Sequence, residues 1–250
     1  IKKILNKKKK KNILEIGAGN NNFSKEKIKK LEKEKIKINK YIILEISEKL
    51  KQKQKSKIKK KTNKKTNIIW TNKIPKKYYG IIIMNELLDA IPPYTFFINN
   101  NKIYEKKIII INNKITWILT NNNKKILNKI NNLNITHYSK YNNEINFLIE
   151  KFLQKLIKNI KNGYIIICDY GYKKKEYYHP QRKNGTIICY NKHRIEKNLF
   201  EEYGNKDITS HVNFSRINKI SKKNKCKIIK YISLAKYIYL CIKNNNKIKN

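Results

Sequence analysis

The apolar positions of this chain fall into short runs set between Lys- and Asn-rich stretches. Ile13 to Ile16 is the first run, mostly β-branched, and Gly17, Ala18 and Gly19 follow it before a charged, helix-compatible stretch from about Phe23 to Ile36. That order predicts a strand, a tight turn and a helix. Tyr41 to Leu44 reads as a second buried strand ending at Glu45, and Leu50 to Lys61, rich in Lys and Gln, as an exposed helix. Asn67 to Trp70 and Tyr79 to Met84 read as third and fourth strands, the latter ending in Asn85-Glu86. Strands alternating with helical segments imply a parallel, doubly wound sheet.

From Tyr94 to Leu119 the rhythm changes. Thr95 to Ile98, Lys107 to Ile111 and Ile115 to Leu119 look like strands joined by Asn-rich turns, which predicts an antiparallel insertion. With Asn121 to Asn134, a low-complexity segment read as a loop, the insertion occupies residues 94–140. Ile145, Leu148, Ile149, Phe152, Leu156 and Ile160 recur at helical spacing and predict a helix packed on the sheet. Tyr164 to Cys168 is a fifth strand ending at Asp169; residues 170–214 are then mostly polar, and helix and strand character returns toward Tyr231 and Ile242. No internal repeat is evident, and 250 residues are enough for one domain with a full core.

Composition changes what can be read from these patterns. The chain carries 60 Lys and Arg against 17 Asp and Glu, a formal charge of +43, which suggests a nucleic-acid partner. Yet the only arginines are Arg182, Arg194 and Arg216, whereas base and phosphate readers favour the planar guanidinium. Ile, Lys and Asn dominate throughout, as an A+T-biased coding sequence would produce, so the abundant residues inform little and the scarce ones mark where chemistry is needed. The Lys-rich runs Lys57 to Lys65 and Asn121 to Lys125 contain no aromatic residue and read as solvated loops rather than a stacking groove. No apolar run approaches the ~20 residues of a membrane span, and the start lacks the apolar stretch of a secretory signal. Cys168, Cys189, Cys226 and Cys241 form no Cys-x-x-Cys pair and read as buried reduced thiols. Trp70 and Trp117 read as packing residues, and His137 as a surface residue.

In Glu15-x-Gly17-x-Gly19 the glycines permit a sharp turn and close approach of a ligand, and the next helix offers free N–H groups. The third glycine that packs helix and strand around a pyrophosphate is replaced by the Asn20 to Asn22 stretch. S-adenosylmethionine has no pyrophosphate, so the shorter loop suits it, with Glu45 placed to accept from both ribose hydroxyls. The three Asp residues, Asp89, Asp169 and Asp207, each follow a strand or sit in a loop, at the edge where α/β sheets bind ligands. Asn85-Glu86-Leu87-Leu88-Asp89 sets two carboxylates beside the presumed donor; helix capping is the plain alternative for them. His179, His193 and His211 are too widely spaced for a metal pattern, so no metal is expected. Pro92-Pro93-Tyr94 is similar to the motif of amino methyltransferases, but Ile91 stands where their polar residue would be.

Taken together, the Gly17 to Gly19 loop, Tyr41 to Ser47 with Gln54, Met84 to Pro92, Asp169-Tyr170-Gly171-Tyr172, the Glu176 to Arg182 and Gly185 to Tyr190 stretches, and Asp207 to Phe214 resemble the MidA family of class I S-adenosylmethionine-dependent methyltransferases. The resemblance runs from about Asn12 to Tyr231, and Asn-Glu-x-x-Asp-Ala and Asp-Ile-Thr-x-His-Val are its discriminating motifs. It implies a Rossmann-like α/β sheet with helices on both faces, an antiparallel β insertion, and residues 170–214 lying over the active site. It implies S-adenosyl-L-methionine as cofactor, held by Glu15, Gly17, Ala18, Gly19, Glu45 and Asn85. On the acceptor side Glu86, Asp89 and His211 are the catalytic candidates, with Asp169 and Asp207 binding substrate. The family includes the mitochondrial complex I assembly methyltransferase, which implies an arginine of a complex I subunit as acceptor. A family segment before the glycine loop is expected to be missing and the C-terminal strand reduced. A bacterial cytoplasm is the expected compartment, with the mitochondrial matrix as the alternative. A non-catalytic scaffold and a basic RNA-binding protein are the competing functions.

Overall fold

Five of the short apolar runs line up as one parallel sheet. The computed structural model describes residue 5 and residues 11–20, 22–59, 66–121, 124–191, 194–196, 198–202 and 204–246. The sheet contains β1 (Asn12–Ile16), β2 (Lys40–Leu44), β3 (Ile68–Thr71), β4 (Tyr78–Asn85) and β9 (Ile160–Cys168), in the order β3-β2-β1-β4-β9. The order reverses at β1, so the crevice beyond the carboxyl ends of β1 and β4 is the place for a ligand. Helices α1 (Asn22–Lys33) and α2 (Glu48–Lys59) follow β1 and β2 as their periodicity predicts.

Side chains leave this sheet in both directions, giving two apolar layers. Leu14, Ile16, Ile82 and Met84 pack with Ile149, Leu153 and Leu156 of α4 (Phe147–Asn159) and with Ile217 and Ile220 of α6 (Phe214–Lys223). Ile13, Tyr41, Ile43, Ile81 and Ile83 pack on the other side with Ile28 and Leu31 of α1 and Ile58 of α2. This is the predicted sheet with helices on both faces.

The antiparallel insertion is present and larger than expected. β5 (Tyr94–Asn99), β6 (Lys102–Ile111) and β7 (Lys114–Asn121) are joined by a fourth strand, β8 (Tyr141–Ile145), in the order β7-β6-β5-β8. Ile145 therefore ends a strand instead of opening the helix, and Ile160 opens β9. The stretch read as an Asn/Lys loop contains helix α3 (Lys124–Asn131), whose Ile126 and Ile130 join Leu133, Ile135, Phe96 and Ile98 in a third core. Leu148, read as a core position, is 47% exposed because Ile149, Leu153 and Leu156 face the sheet instead.

The described residues of 170–214 form strands and a short helix rather than a plain loop. β10 (Gly171–Tyr172) pairs with β14 (Val212–Asn213), and β11 (Ile188–Asn191) lies between β12 (Arg194–Glu196) and β13 (Asp207–Thr209); a short helix, α5 (Lys174–Tyr177), follows β10. After α6 no further strand is found among the described residues, and α7 (Leu234–Asn246) ends the described chain. Of the thiols read as buried, only Cys189 is; Cys168 and Cys226 are partly covered and Cys241 is exposed on α7. No described helix is long and apolar enough to cross a membrane.

Candidate active site

The glycine loop leaves β1 through backbone that a side chain would obstruct. Gly17 has φ +71°, and a Cβ there would stand 2.6 Å from Leu87 Cδ1, while the Gly17 N–H donates to Leu44 O at 3.1 Å. Gly19, at φ +52°, faces space with no atom within 4 Å of an added Cβ. Ala18 packs on the α1 side core. The loop is thus fixed by Leu87 and β2 at one glycine and open to a ligand at the next.

Glu45, at the end of β2, completes this side. It is buried; Oε1 accepts from the Ser47 N–H at 3.0 Å and Oε2 from Gln54 Nε2 at 2.9 Å. Gln54 Nε2 also donates to Gly19 O at 3.0 Å, and Gln54 Oε1 accepts from Trp70 Nε1 at 3.1 Å. One amide on α2 therefore ties the carboxylate to the glycine loop, and Trp70 fixes which way that amide points. Ile46, next to Glu45 in the chain, is an apolar side chain left 80% exposed. The open approach at Gly19, spare acceptor capacity on Glu45 and this apolar neighbour fit an adenosine-bearing cofactor.

Glu15 does not face that opening. Its Oε2 accepts from the Tyr41 hydroxyl and its Oε1 pairs with Lys27 Nζ at 2.7 Å. Burial holds the Lys27 ammonium below its usual pKa despite this partner. Both Glu15 oxygens are engaged inside the fold, beneath the loop.

The acceptor side is built at the ends of β4 and β9. Asn85 is paired with Cys168, and Glu86, with φ +46°, donates its N–H to Cys168 O at 2.9 Å. Beyond it the chain turns so that Glu86 is exposed and Asp89 buried. Asp169 anchors this turn: Oδ2 accepts from the Leu88 N–H at 2.8 Å and Oδ1 from the Tyr170 N–H at 2.9 Å. Burial, then the Asp89 charge, push the Asp169 carboxyl up to about 6. Asp89 is also raised, mainly by burial, and its Oδ1 is buried with no hydrogen-bond partner. Three carboxylates thus converge: Glu86 is exposed, Asp89 is buried with Oδ1 unpartnered, and Asp169 is bound to backbone amides.

Tyr170 was not singled out among the candidate site residues. It is 60% exposed, and the Glu86 charge, with a hydrogen bond between the two, keeps its phenol protonated. Its place directly after Asp169, at a strand end, was the available signal. His211 is linked to the cluster through backbone: the neighbouring Ser210 N–H donates to Asp89 O at 2.9 Å. The His211 ring lies 4.9 Å from Tyr172 and lines a small cavity with Asn146, Tyr177, Tyr178, Asn213 and Arg216. Burial, then Arg182, lower its pKa, so the imidazole is neutral near pH 7. Asp207 opens β13 in register with Tyr190 and is exposed. His193 lies outside the described residues, and no group of three His, Cys, Asp or Glu among the described residues could hold a metal ion.

A family model described as "Putative S-adenosyl-L-methionine-dependent methyltransferase" matches residues 2–232. Among solved structures, a Burkholderia thailandensis protein with S-adenosyl-homocysteine bound superposes with a TM-score of 0.80 at 22% identity, covering 86% of this chain and 56% of its own. An uncharacterized protein of the same superfamily and organism, in its native form, gives 0.82 at 22% identity, covering 90% and 60%. The chain thus spans less than two thirds of either structure, and at this identity they speak for the fold. No curated protein matches. The family match over nearly the whole chain places this protein in that family of S-adenosylmethionine-dependent methyltransferases, as the MidA resemblance implied.

Proposed function

We propose that this chain transfers a methyl group from S-adenosylmethionine to an arginine side chain of a protein, with a respiratory complex I subunit as the candidate target, in a bacterial cytoplasm or an organelle matrix. The observation that carries the acceptor class is the buried, unpartnered Asp89 Oδ1 beside Glu86 and Asp169. In a chain of formal charge +43 these carboxylates make a local acidic cluster, which suits a cationic planar group able to give several N–H bonds.

Gly17 and Gly19 let the backbone approach the cofactor, Glu45 accepts from its ribose hydroxyls, and Gln54 keeps that carboxylate and the loop in register. When bound, S-adenosylmethionine supplies an electrophilic methyl on a sulfonium. Glu86 and Asp89 would pair with the guanidinium, hold one nitrogen in line with that methyl, and accept the proton that nitrogen loses as its bond to the methyl carbon forms and the carbon's bond to sulfur breaks. Asp169 holds the turn that carries Asp89.

Calorimetric titration with S-adenosylmethionine and S-adenosylhomocysteine, at two salt concentrations, tests the cofactor half. Binding should be insensitive to salt, and Glu45→Ala should weaken it about 10- to 100-fold, the worth of hydrogen bonds to a charged group. A folded protein that bound neither ligand would overturn the reading and favour a scaffold. Incubation with tritiated cofactor and arginine-bearing complex I peptides then tests the acceptor; label on lysine or none on arginine rejects it.

A further inference from the structure

Glu144 is a buried carboxylate in a place no motif marks. It sits on β8, fully buried in the insertion, and receives donors from residues more than 30 positions later. Its Oε1 accepts from the Tyr177 hydroxyl at 2.9 Å, the Thr186 N–H at 3.0 Å and the Thr186 hydroxyl at 2.6 Å. Its backbone oxygen accepts from the Tyr178 hydroxyl at 3.3 Å. Gly185 packs so closely that a Cβ there would stand 2.3 Å from Glu144 Oε2, which explains one of only seven glycines. Burial raises the Glu144 pKa, while Thr186, Tyr177 and then Arg182 oppose that shift. Three donors on one oxygen suit the carboxylate form.

The Thr186 hydroxyl has one hydrogen, and it points to Glu144. Its lone pair is therefore left for the His211 N–H, which donates to Thr186 Oγ1 at 2.8 Å. The preceding amide, Ser210 N–H, donates to Asp89 O at 2.9 Å. The bonds diverge from the Ser210-His211 turn: Ser210 donates to the Asp89 carbonyl on one side, and on the other His211 donates to Thr186, which donates on to Glu144 of the insertion sheet.

We propose that Glu144 and Thr186 are positioning residues for the acceptor side of the site: Glu144 orients the Thr186 hydroxyl, the hydroxyl holds the Ser210-His211 turn, and that turn holds the carbonyl of Asp89. The assignment of a catalytic purpose rests on the methyltransferase reading, while the coupling itself does not. It gives the insertion a role that neither the cofactor loop nor the parallel sheet supplies.

Amide hydrogen exchange on the whole chain, with S-adenosylhomocysteine titrated in parallel, tests it. Thr186→Val keeps the shape and removes both hydroxyl bonds; Glu144→Gln keeps the shape and removes the charge. Each should raise exchange in segments 207–214 and 85–91 by about tenfold, the worth of one buried hydrogen bond. Exchange in β1, β2 and α2, and affinity for S-adenosylhomocysteine, should stay within about twofold, since the lost bonds involve none of the residues on that half of the site. Thr186→Ser should restore the parental pattern. Unchanged exchange at 85–91, or a rise spread evenly over the parallel sheet, would overturn the proposal. Failure of the parent protein to bind S-adenosylhomocysteine would instead reject the methyltransferase reading and leave the exchange result to decide the coupling.

Discussion

Asp169 shows how one side chain can hold a site together and be strained by it. Its two oxygens accept from Leu88 and Tyr170 backbone amides, which favours the charged form, yet burial and the Asp89 charge outweigh them and raise it from 3.8 to about 6. In the folded state the proton is held more tightly than in the unfolded chain, so stability is greatest below the unfolded value and falls as pH rises from about 4 toward 6. Asp169→Asn retains an acceptor for Leu88 and removes this titration. The melting temperature of the variant, measured relative to the parent, should therefore climb across that interval and level off above it. A flat difference would mean that Asp169 does not titrate there.

Among the elements, helix α4 rests on a side-chain cap at Asn146 as well as on the apolar face it packs on the sheet. Asn146 Oδ1 caps the helix by accepting from the Ile149 N–H at 2.9 Å, and Nδ2 reaches across to Ile91 O at 2.6 Å, joining the helix start to the turn that carries Asp89. Asn146→Ala should cost about 1–2 kcal/mol in denaturant unfolding, and Asn146→Asp, which keeps only the cap, should recover part of it. Elements of this kind mark the boundary of what the sequence discloses. The strands and helices up to Asn85 were legible because apolar runs alternate with polar helices and because glycine is rare enough to mark the turn. Helix α3 was not, because Asn and Lys fill the background and only Ile126 and Ile130 signal a buried face. Strand β8 was hidden for a different reason: Asn143 and Glu144 are buried polar residues, and the donors to the Glu144 side chain come from Tyr177 and Thr186, a satisfaction no local pattern reveals. The same division runs through the site. Gly17, Glu45, Glu86 and Asp89 could be picked out from residue type and strand ends, whereas the link from Gln54 to Gly19 and the internal pairing of Glu15 with Lys27 exist only once α1 and α2 have packed.

Across the whole molecule, the charge of +43 and the acidic cluster of Glu86, Asp89 and Asp169 act on different properties. Most lysines are on the surface, where their mutual repulsion opposes the compact state and is screened over about 10 Å at 0.1 M salt. The groups proposed for the cofactor side are short-range: Glu45 and Gln54 are buried and tied to Gly19, and S-adenosylhomocysteine carries no phosphates for the lysines to neutralise. Raising sodium chloride to about 0.5 M should therefore increase the melting temperature by several degrees, as repulsion is screened, while leaving S-adenosylhomocysteine affinity within about twofold. An RNA-binding protein of this charge would behave in the opposite way toward its ligand, losing affinity for a single-stranded oligonucleotide steeply and log-linearly with salt. Melting curves and titrations on one preparation separate the two: a stabilised fold with constant cofactor affinity assigns the lysines to the background composition, and tight, salt-sensitive oligonucleotide binding would assign them to function.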